Sequence, residues 1–390
     1  MLTTAWNAAE LLAPLVRFAS VSNTSNREVS QWVAERLDAL GFQIETVPYT
    51  DPAGVPKVNV IARRGPRGSA GLAYFAHTDV VPAPRWTGPA GQAAGAVGAA
   101  AAFTLVADQQ RLYGRGSCDM KGSLACMLAA ASQIDAREQT RPLTICCTAD
   151  EEVGFEGARQ VVAQSRLYQQ LVAEQPLAII GEPTQMRVVH AHKGIAGYRF
   201  ASRGRAAHSS TRQGVNANLA MVPLLVELKR CYDASENDGQ WQHDAFDPPT
   251  LSWNFGISDH ATAVNVTPAS SHAWLFYRPM PGIDGDGLVQ SVLRCAAEHG
   301  LEIQPMAGGE PLWVDPDSEC VQTVCRLADR PAAETVCYGT DGGQFTQLEK
   351  RVVIGPGDIE QAHTDDEWIS RQQLDRGVEV YAKLIRDQCV

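Results

Sequence analysis

Short, continuous apolar runs alternate along this chain with stretches of helical spacing. Residues 8–19 and 27–40 read as amphipathic helices; in the second, Val29, Val33, Leu37 and Leu40 recur on one face and Gly41 supplies a stop. Strands are predicted at 43–48 and 58–63. The run Gly71-Leu72-Ala73-Tyr74-Phe75-Ala76 is apolar enough for a strand buried on both faces of a parallel sheet. Leu143 to Ala149 and Leu177-Ala178-Ile179-Ile180 repeat that texture, and Val352-Val353-Ile354 returns to it late in the chain. Ser123 to Ala131 is an Ala-rich apolar helix that must be buried. These elements predict an α/β fold built on a mostly parallel sheet.

Between residues 187 and 297 the texture changes. Tyr198-Arg199-Phe200 reads as a strand, 216–231 as an amphipathic helix, 251–257 and 272–278 as strands, and 285–298 as a helix. The order strand–helix–strand–strand–helix predicts a ferredoxin-like α/β sandwich inserted into the main domain. The expected division is 1–186 and 298–390 for the catalytic domain, with 187–297 as the insert. Such an insert has its own core and two chain crossings, so it can move as a unit or pair with a second subunit.

Composition narrows the classes. Of 390 residues 45% are apolar and 20% charged, which is globular. A formal charge of -11 argues against a nucleic-acid or anionic-membrane partner and is compatible with a cationic substrate. Ten cysteines without a Cys-x-x-Cys pair suit a reducing cytosol, and adjacent Cys146 and Cys147 read as small core residues. No signal peptide and no run of about 20 apolar residues is found, so a cytoplasmic location is expected. The Gly- and Ala-rich stretch 88–102 reads as a surface loop with little side-chain chemistry.

The chemistry lies where the apolar elements end. His77 follows the third strand and offers a neutral imidazole, and Asp79 could accept its other ring N–H. Gly114 and Gly116 permit a tight turn before Asp119, which enters the buried helix either as a cap or as a metal bridge. Asp150-Glu151-Glu152 leaves a core strand as three consecutive acids, which repel one another without a cation unless the turn is simply solvated. Glu182 follows the next strand, and His363 the last. His, Asp, Glu, Glu and His suit zinc, cobalt or manganese rather than calcium. Two metals need a carboxylate bridge and about two further ligands each, a count these five meet. His208 lies in the first loop of the insert, where a surface histidine is the plainer reading.

With these residues in place the chain resembles the two-metal aminoacylase and carboxypeptidase family of metallohydrolases. The likeness spans nearly the whole chain and is densest at His77-Thr78-Asp79, Ala149-Asp150-Glu151-Glu152, Ile180-Gly181-Glu182-Pro183-Thr184 and Ala191-His192-Lys193-Gly194. It continues through His208-Ser209-Ser210, Gly214-Val215-Asn216-Ala217, Arg278-Pro279-Met280-Pro281-Gly282, Gly355-Pro356-Gly357 and Gln361-Ala362-His363.

The resemblance implies two divalent ions, zinc or cobalt. Asp119 would bridge them, with His77 and Glu182 completing one site and Glu152 and His363 the other. It implies that Asp79 orients His77, that Glu151 is the general base, and that His208 helps hold the oxyanion in a neighbouring subunit of a homodimer. Arg278 and Asn265 would bind the substrate's carboxylate end. The implied reaction removes an acetyl group from an amino acid's α-nitrogen, with N2-acetyl-L-ornithine the expected substrate and arginine biosynthesis the setting. Another small N-acyl amino acid, such as acetylcitrulline or succinyl-diaminopimelate, or a dipeptide keeps the chemistry and changes the substrate. A metal-binding protein without catalysis is the contrasting class, against which the presence of Glu151 weighs. Phe276-Tyr277-Arg278 departs from the family pattern in lacking an acid two residues before the arginine, and Gly339-Thr340-Asp341-Gly342-Gly343 departs from it also.

Overall fold

A computed structural model describes residues 5–89 and 98–390. The chain divides into two compact units. The first comprises the chain through Ala191 together with Leu312–Glu334 and Thr340–Val390; the second comprises His192–Pro311 and Thr335–Gly339.

The first unit is built on a mixed sheet whose centre is parallel. Leu143–Thr148, Leu72–His77, Leu177–Ile180 and Arg351–Val353 lie side by side and run the same way. Pro56–Arg64 and Gln43–Thr50 extend the sheet antiparallel on one flank, and Val189–His192 on the other. Every residue of Leu72–His77 and Leu143–Thr148 is buried, the signature of strands covered on both faces.

Helix Lys121–Ser132 is buried along its whole length, in keeping with its mostly apolar, Ala-rich sequence. It packs beside helix Arg371–Cys389 through a chain of buried hydroxyls. Tyr74 Oη and Tyr381 Oη each lie 2.7 Å from Ser123 Oγ, and Tyr381 Oη donates to Ile354 O at 3.0 Å. Each polar tip thereby finds a partner inside an apolar layer, which is the condition for burying it cheaply.

The second unit has the order Ala196–Arg203, Asn218–Asn237, Asn254–Ser258, Ser270–Tyr277, Asp286–Glu298, Glu302–Pro305. Its sheet is antiparallel, in the order Asn254–Ser258, Ser270–Tyr277, Ala196–Arg203, Glu302–Pro305, which is the ferredoxin-like arrangement. Ser271, Ala273, Leu275 and Tyr277 alternate inward along the second of these strands. The last strand was absent from the sequence reading because all four of its residues are exposed and carry no alternation. Its pairing with Ala196–Arg203 carries this unit past residue 297, the end expected from sequence, to Pro311.

Of the Gly- and Ala-rich stretch 88–102, residues 90–97 lie outside the described residues. Its far end is not plain surface: Ala102 is buried in a small cluster with Ala83, Trp86 and Tyr113. No helix among the described residues is long and apolar enough to cross a membrane.

One close approach fixes the acidic turn after Leu143–Thr148. Gly157, in the first turn of helix Glu156–Gln164, donates its N–H to Ala149 O at 3.1 Å. A Cβ there would stand 2.1 Å from Ala149 O and 2.7 Å from Asn59 Oδ1. Gly157→Ala should therefore cost about 1–3 kcal/mol through overpacking. A thermal melt reads this directly, and a wild-type midpoint would reject the packing argument.

Candidate metal centre and active site

Parallel pairing brings the chemistry to one edge. His77 stands opposite Thr148, while Phe75 and Val353 both stand opposite Ile180, so the carboxyl ends of four strands align. Open α/β sheets bind ligands in the crevice beyond such ends. His77 closes its own strand, and Glu151 and Glu152 follow Thr148 by a short turn. Glu182 comes just after Ile180, and Gly181 between them has no room for a Cβ, which would lie 2.4 Å from Tyr74 Oη. Asp119 precedes helix Lys121–Ser132, and the Asp119–Met120 peptide is cis. The N-cap position itself is Met120, which makes no side-chain capping bond.

Two clusters of ligand atoms result, His77–Asp119–Glu182 and Asp119–Glu152–His363, each with all its atoms within 4.8 Å of one another. Asp119 belongs to both. Its Oδ1 is 3.0 Å from His77 Nε2, and its Oδ2 is 3.5 Å from His363 Nε2. His363 Nε2 is also 3.0 Å from Glu152 Oε2, and His77 Nε2 is 3.8 Å from Glu182 Oε1. One carboxylate faces two imidazoles in opposite directions, the geometry of a bridge.

The electrostatics ask for cations. Burial pushes the Glu151 carboxyl well above the ordinary range, and the acids Glu182, Glu152 and Asp341 add to that push. Glu182 is raised in the same way by burial and Asp119, and Glu152 by the same two causes with His363 opposing. Burial works against a charged His77, yet Asp119, Asp79, Glu182 and Glu151 outweigh it and hold the imidazolium well above its usual pKa. His363 is raised through its bond to Glu152. Burial and mutual repulsion disfavour the charged forms of Glu151, Glu152 and Glu182. Two divalent ions would let them ionise, and two nitrogens with carboxylate oxygens form a donor set that borderline ions accept. The residues fit a dinuclear centre.

Asp79 touches more than His77. The second ring nitrogen of His77, Nδ1, lies 2.9 Å from the main-chain oxygen of Asp79 and 3.6 Å from its carboxylate. The carboxylate also accepts from Ser22 Oγ at 2.7 Å and from the main-chain N–H groups of Glu151 and Glu152 at 3.2 and 3.4 Å. Asp79 thus supports the acidic turn with its side chain and the histidine with its backbone.

Asp150 does not join the acidic cluster. Its backbone is left-handed (φ 59°), and its carboxylate takes Lys57 Nζ at 2.6 Å and Tyr49 Oη at 2.7 Å. Lys57 and Tyr49 sit in strands whose local pattern carries no sign of this task, since the contact spans 93 and 101 residues. Asp341 was also missed as part of the site's charge. Buried, it accepts from Thr148 Oγ1 at 2.5 Å, and burial pushes its pKa to about 6.

The remaining candidates lie in the second unit. Ser209 N donates to Asn265 O at 3.0 Å, and His208 bridges to Val266, so the His208 loop and Asn265 are neighbours. They lie beside the paired ends Arg203 and Ser270, whereas Arg278 follows Tyr277 at the other end of the same strand, paired there with Ala196. Along an eight-residue strand the two places are roughly 20–25 Å apart. Arg278 and the His208–Asn265 pair thus belong to opposite ends of that strand.

A model of Peptidase family M20/M25/M40 matches residues 73–387. The acetylornithine deacetylase of Pasteurella multocida (strain Pm70) is 34% identical over 378 residues, covering 94% of this chain and 92% of that protein. Among solved structures, the M20 family metallo-carboxypeptidase Sso-CP2 from Sulfolobus solfataricus superposes with a TM-score of 0.73 at 16% identity, covering 98% of this chain and 99% of that one. The Bacillus subtilis YXEP protein, a dinuclear metal-binding peptidase of the M20 family, gives 0.63 at 14% identity, covering 97% and 96%. Extent of match and paired ligand clusters agree, and this chain belongs to Peptidase family M20/M25/M40, as a metallohydrolase acting on amide bonds.

Proposed function

We propose that this chain is a two-metal deacylase of N-acyl amino acids, converting N2-acetyl-L-ornithine to ornithine and acetate. The observation that carries the reading is Asp119, one carboxylate turned between two imidazoles, with the partly buried acid Glu151 among the same charges. The substrate rests on likeness to acetylornithine deacetylase over 94% of the chain. The product suits arginine biosynthesis, and ten free thiols suit a reducing cytoplasm.

His77 and Glu182 would hold one ion, Glu152 and His363 the other, and Asp119 would be shared, with zinc or cobalt favoured by the donor set. Cations bound there would supply Lewis acidity, polarising an amide carbonyl and lowering the pKa of water towards neutrality. Glu151 takes the proton of the attacking water on a carboxylate oxygen and delivers it to the leaving amine nitrogen. Asp79 holds Glu151 and Glu152 in place through their main-chain amides. His208 donates to the oxygen that gains negative charge, with its Nδ1 held 2.7 Å from Ser210 Oγ. Arg278 and Asn265 receive the substrate's carboxylate.

A homodimer reconciles these roles. Arg278 stands at one end of the insert's strand and His208 with Asn265 at the other, so one copy does not present all three to a single substrate. Two copies do so if each lends His208 and Asn265 to the other's site. Leu219, Val222 and Val226 support the pairing, since they leave an apolar stripe exposed at helical spacing on Asn218–Asn237.

Acetylornithine should show the highest kcat/KM in a panel with acetylcitrulline, succinyl-diaminopimelate and a dipeptide, assayed with zinc and cobalt. Chelation should abolish turnover and either ion restore it. Faster turnover of another compound would reassign the substrate, and full activity in metal-free protein would overturn the two-ion reading.

Glu151→Gln should retain two ions yet lose about 10²–10⁴-fold in rate. Glu152→Gln should weaken one ion. Equal metal content and equal rates in the two variants would refute the division of labour between these neighbours.

His208→Ala should lower the rate about 10²–10³-fold, as loss of one oxyanion donor does. Mixed with Glu151→Gln subunits, it should recover up to about half the wild-type rate per mixed dimer, because one site then carries both lesions and the other neither. Absence of recovery, with subunit exchange verified, would exclude delivery across the dimer.

A further inference from the structure

Four residues beyond His363, Glu367 is buried, only 1% exposed, and its carboxylate is fully engaged. Oε2 accepts from Arg115 Nη1 at 2.7 Å and from Gly116 N at 3.0 Å. Oε1 accepts from Cys118 N at 2.8 Å and from Asp119 N at 3.0 Å. Arg115 is equally buried and sends Nη2 to the main-chain oxygen of Thr364, the residue after His363, at 3.0 Å. Gly114 N donates to Glu367 O at 3.0 Å, and strand Trp368–Ser370 pairs antiparallel with Arg111–Tyr113. The loop ending in Asp119 and the segment carrying His363 are therefore clasped along their length.

Stability alone does not account for this arrangement. Replacing a buried ion pair by apolar side chains of similar volume is often neutral or stabilising, because desolvation offsets the attraction. What apolar packing cannot supply is direction. An acceptor aimed at the Asp119 amide orients the main chain there, and with it the carboxylate that must stand between His77 and His363. The same acid, through Arg115 and Thr364, ties down the histidine on the far side.

We propose that Glu367 is a positioning residue for the metal pair, holding the Asp119 loop and the His363 segment in register so that one carboxylate can face both ions. This rests on the dinuclear reading above. Its distinguishing consequence is that a change at Glu367 weakens both ions together, since the residue it steers is shared, whereas a change at Glu152 weakens one.

The test titrates full-length protein with cobalt(II), counting ions by equilibrium dialysis and following the visible absorption of the bound metal. Wild type should take up two ions. Glu367→Gln keeps the side chain's shape but replaces one accepting oxygen with a donor, and both ions should bind about 10–100-fold more weakly. Excess cobalt should restore turnover and the wild-type absorption spectrum. A purely structural role would lower the melting temperature and leave affinity in the folded protein unchanged. Should the single variant fail to fold, Glu367→Gln with Arg115→Met removes the buried charges together and carries the same expectation. Wild type binding fewer than two ions would overturn the dinuclear reading itself. Wild-type affinity for both ions in the folded variant, or weakening confined to one, would overturn the role of Glu367.

Discussion

A buried carboxylate has to face positive charge, and in this molecule Asp119 faces it on two sides. That constraint shapes much of the first unit. His77 and Glu182 must arrive from one direction and Glu152 and His363 from the other, all at the edge where parallel strands end. Parallel strands serve because their carboxyl ends coincide, whereas an antiparallel neighbour would turn every second one away. The cost of gathering so many acids in a dry crevice appears as raised pKa values at Glu151, Glu152 and Glu182, which cations would relieve.

Around this centre lies a set of charges that never touch the ligand atoms of the opposite cluster but hold their backbones. Asp79 accepts the amides of Glu151 and Glu152, Lys57 and Tyr49 draw Asp150 away from its neighbours, and Glu367 accepts the amides of Cys118 and Asp119. Carboxylates suit this work because a single group can accept several N–H donors at once. The loops that carry the reactive groups are thus held by main-chain hydrogen bonds to buried acids as well as by apolar packing.

The division of the chain also divides the candidate site residues. All the residues of the two ligand clusters come from the first unit, while His208, Asn265 and Arg278 come from the second.

Much of this was legible in the residues themselves. Continuous apolar runs followed by His77, Glu152, Glu182 and His363 announced the parallel strands and marked these residues as candidate ligands, because burial and donor type are local properties of sequence. Strand–helix alternation announced the insert for the same reason. The exposed strand Glu302–Pro305 was invisible, since it exists only through its pairing with Ala196–Arg203. The contacts of Asp79, the diversion of Asp150 by Lys57, and the grip of Glu367 on the Asp119 loop were equally silent. Each joins groups tens to hundreds of residues apart, and whether an acid meets a metal, an amide or an ammonium group depends on which backbone the fold brings to it. The sequence by itself determined which elements are buried and which ligand types stand at their ends. Only the tertiary structure decided which acids face the shared crevice and which hold the loops around it.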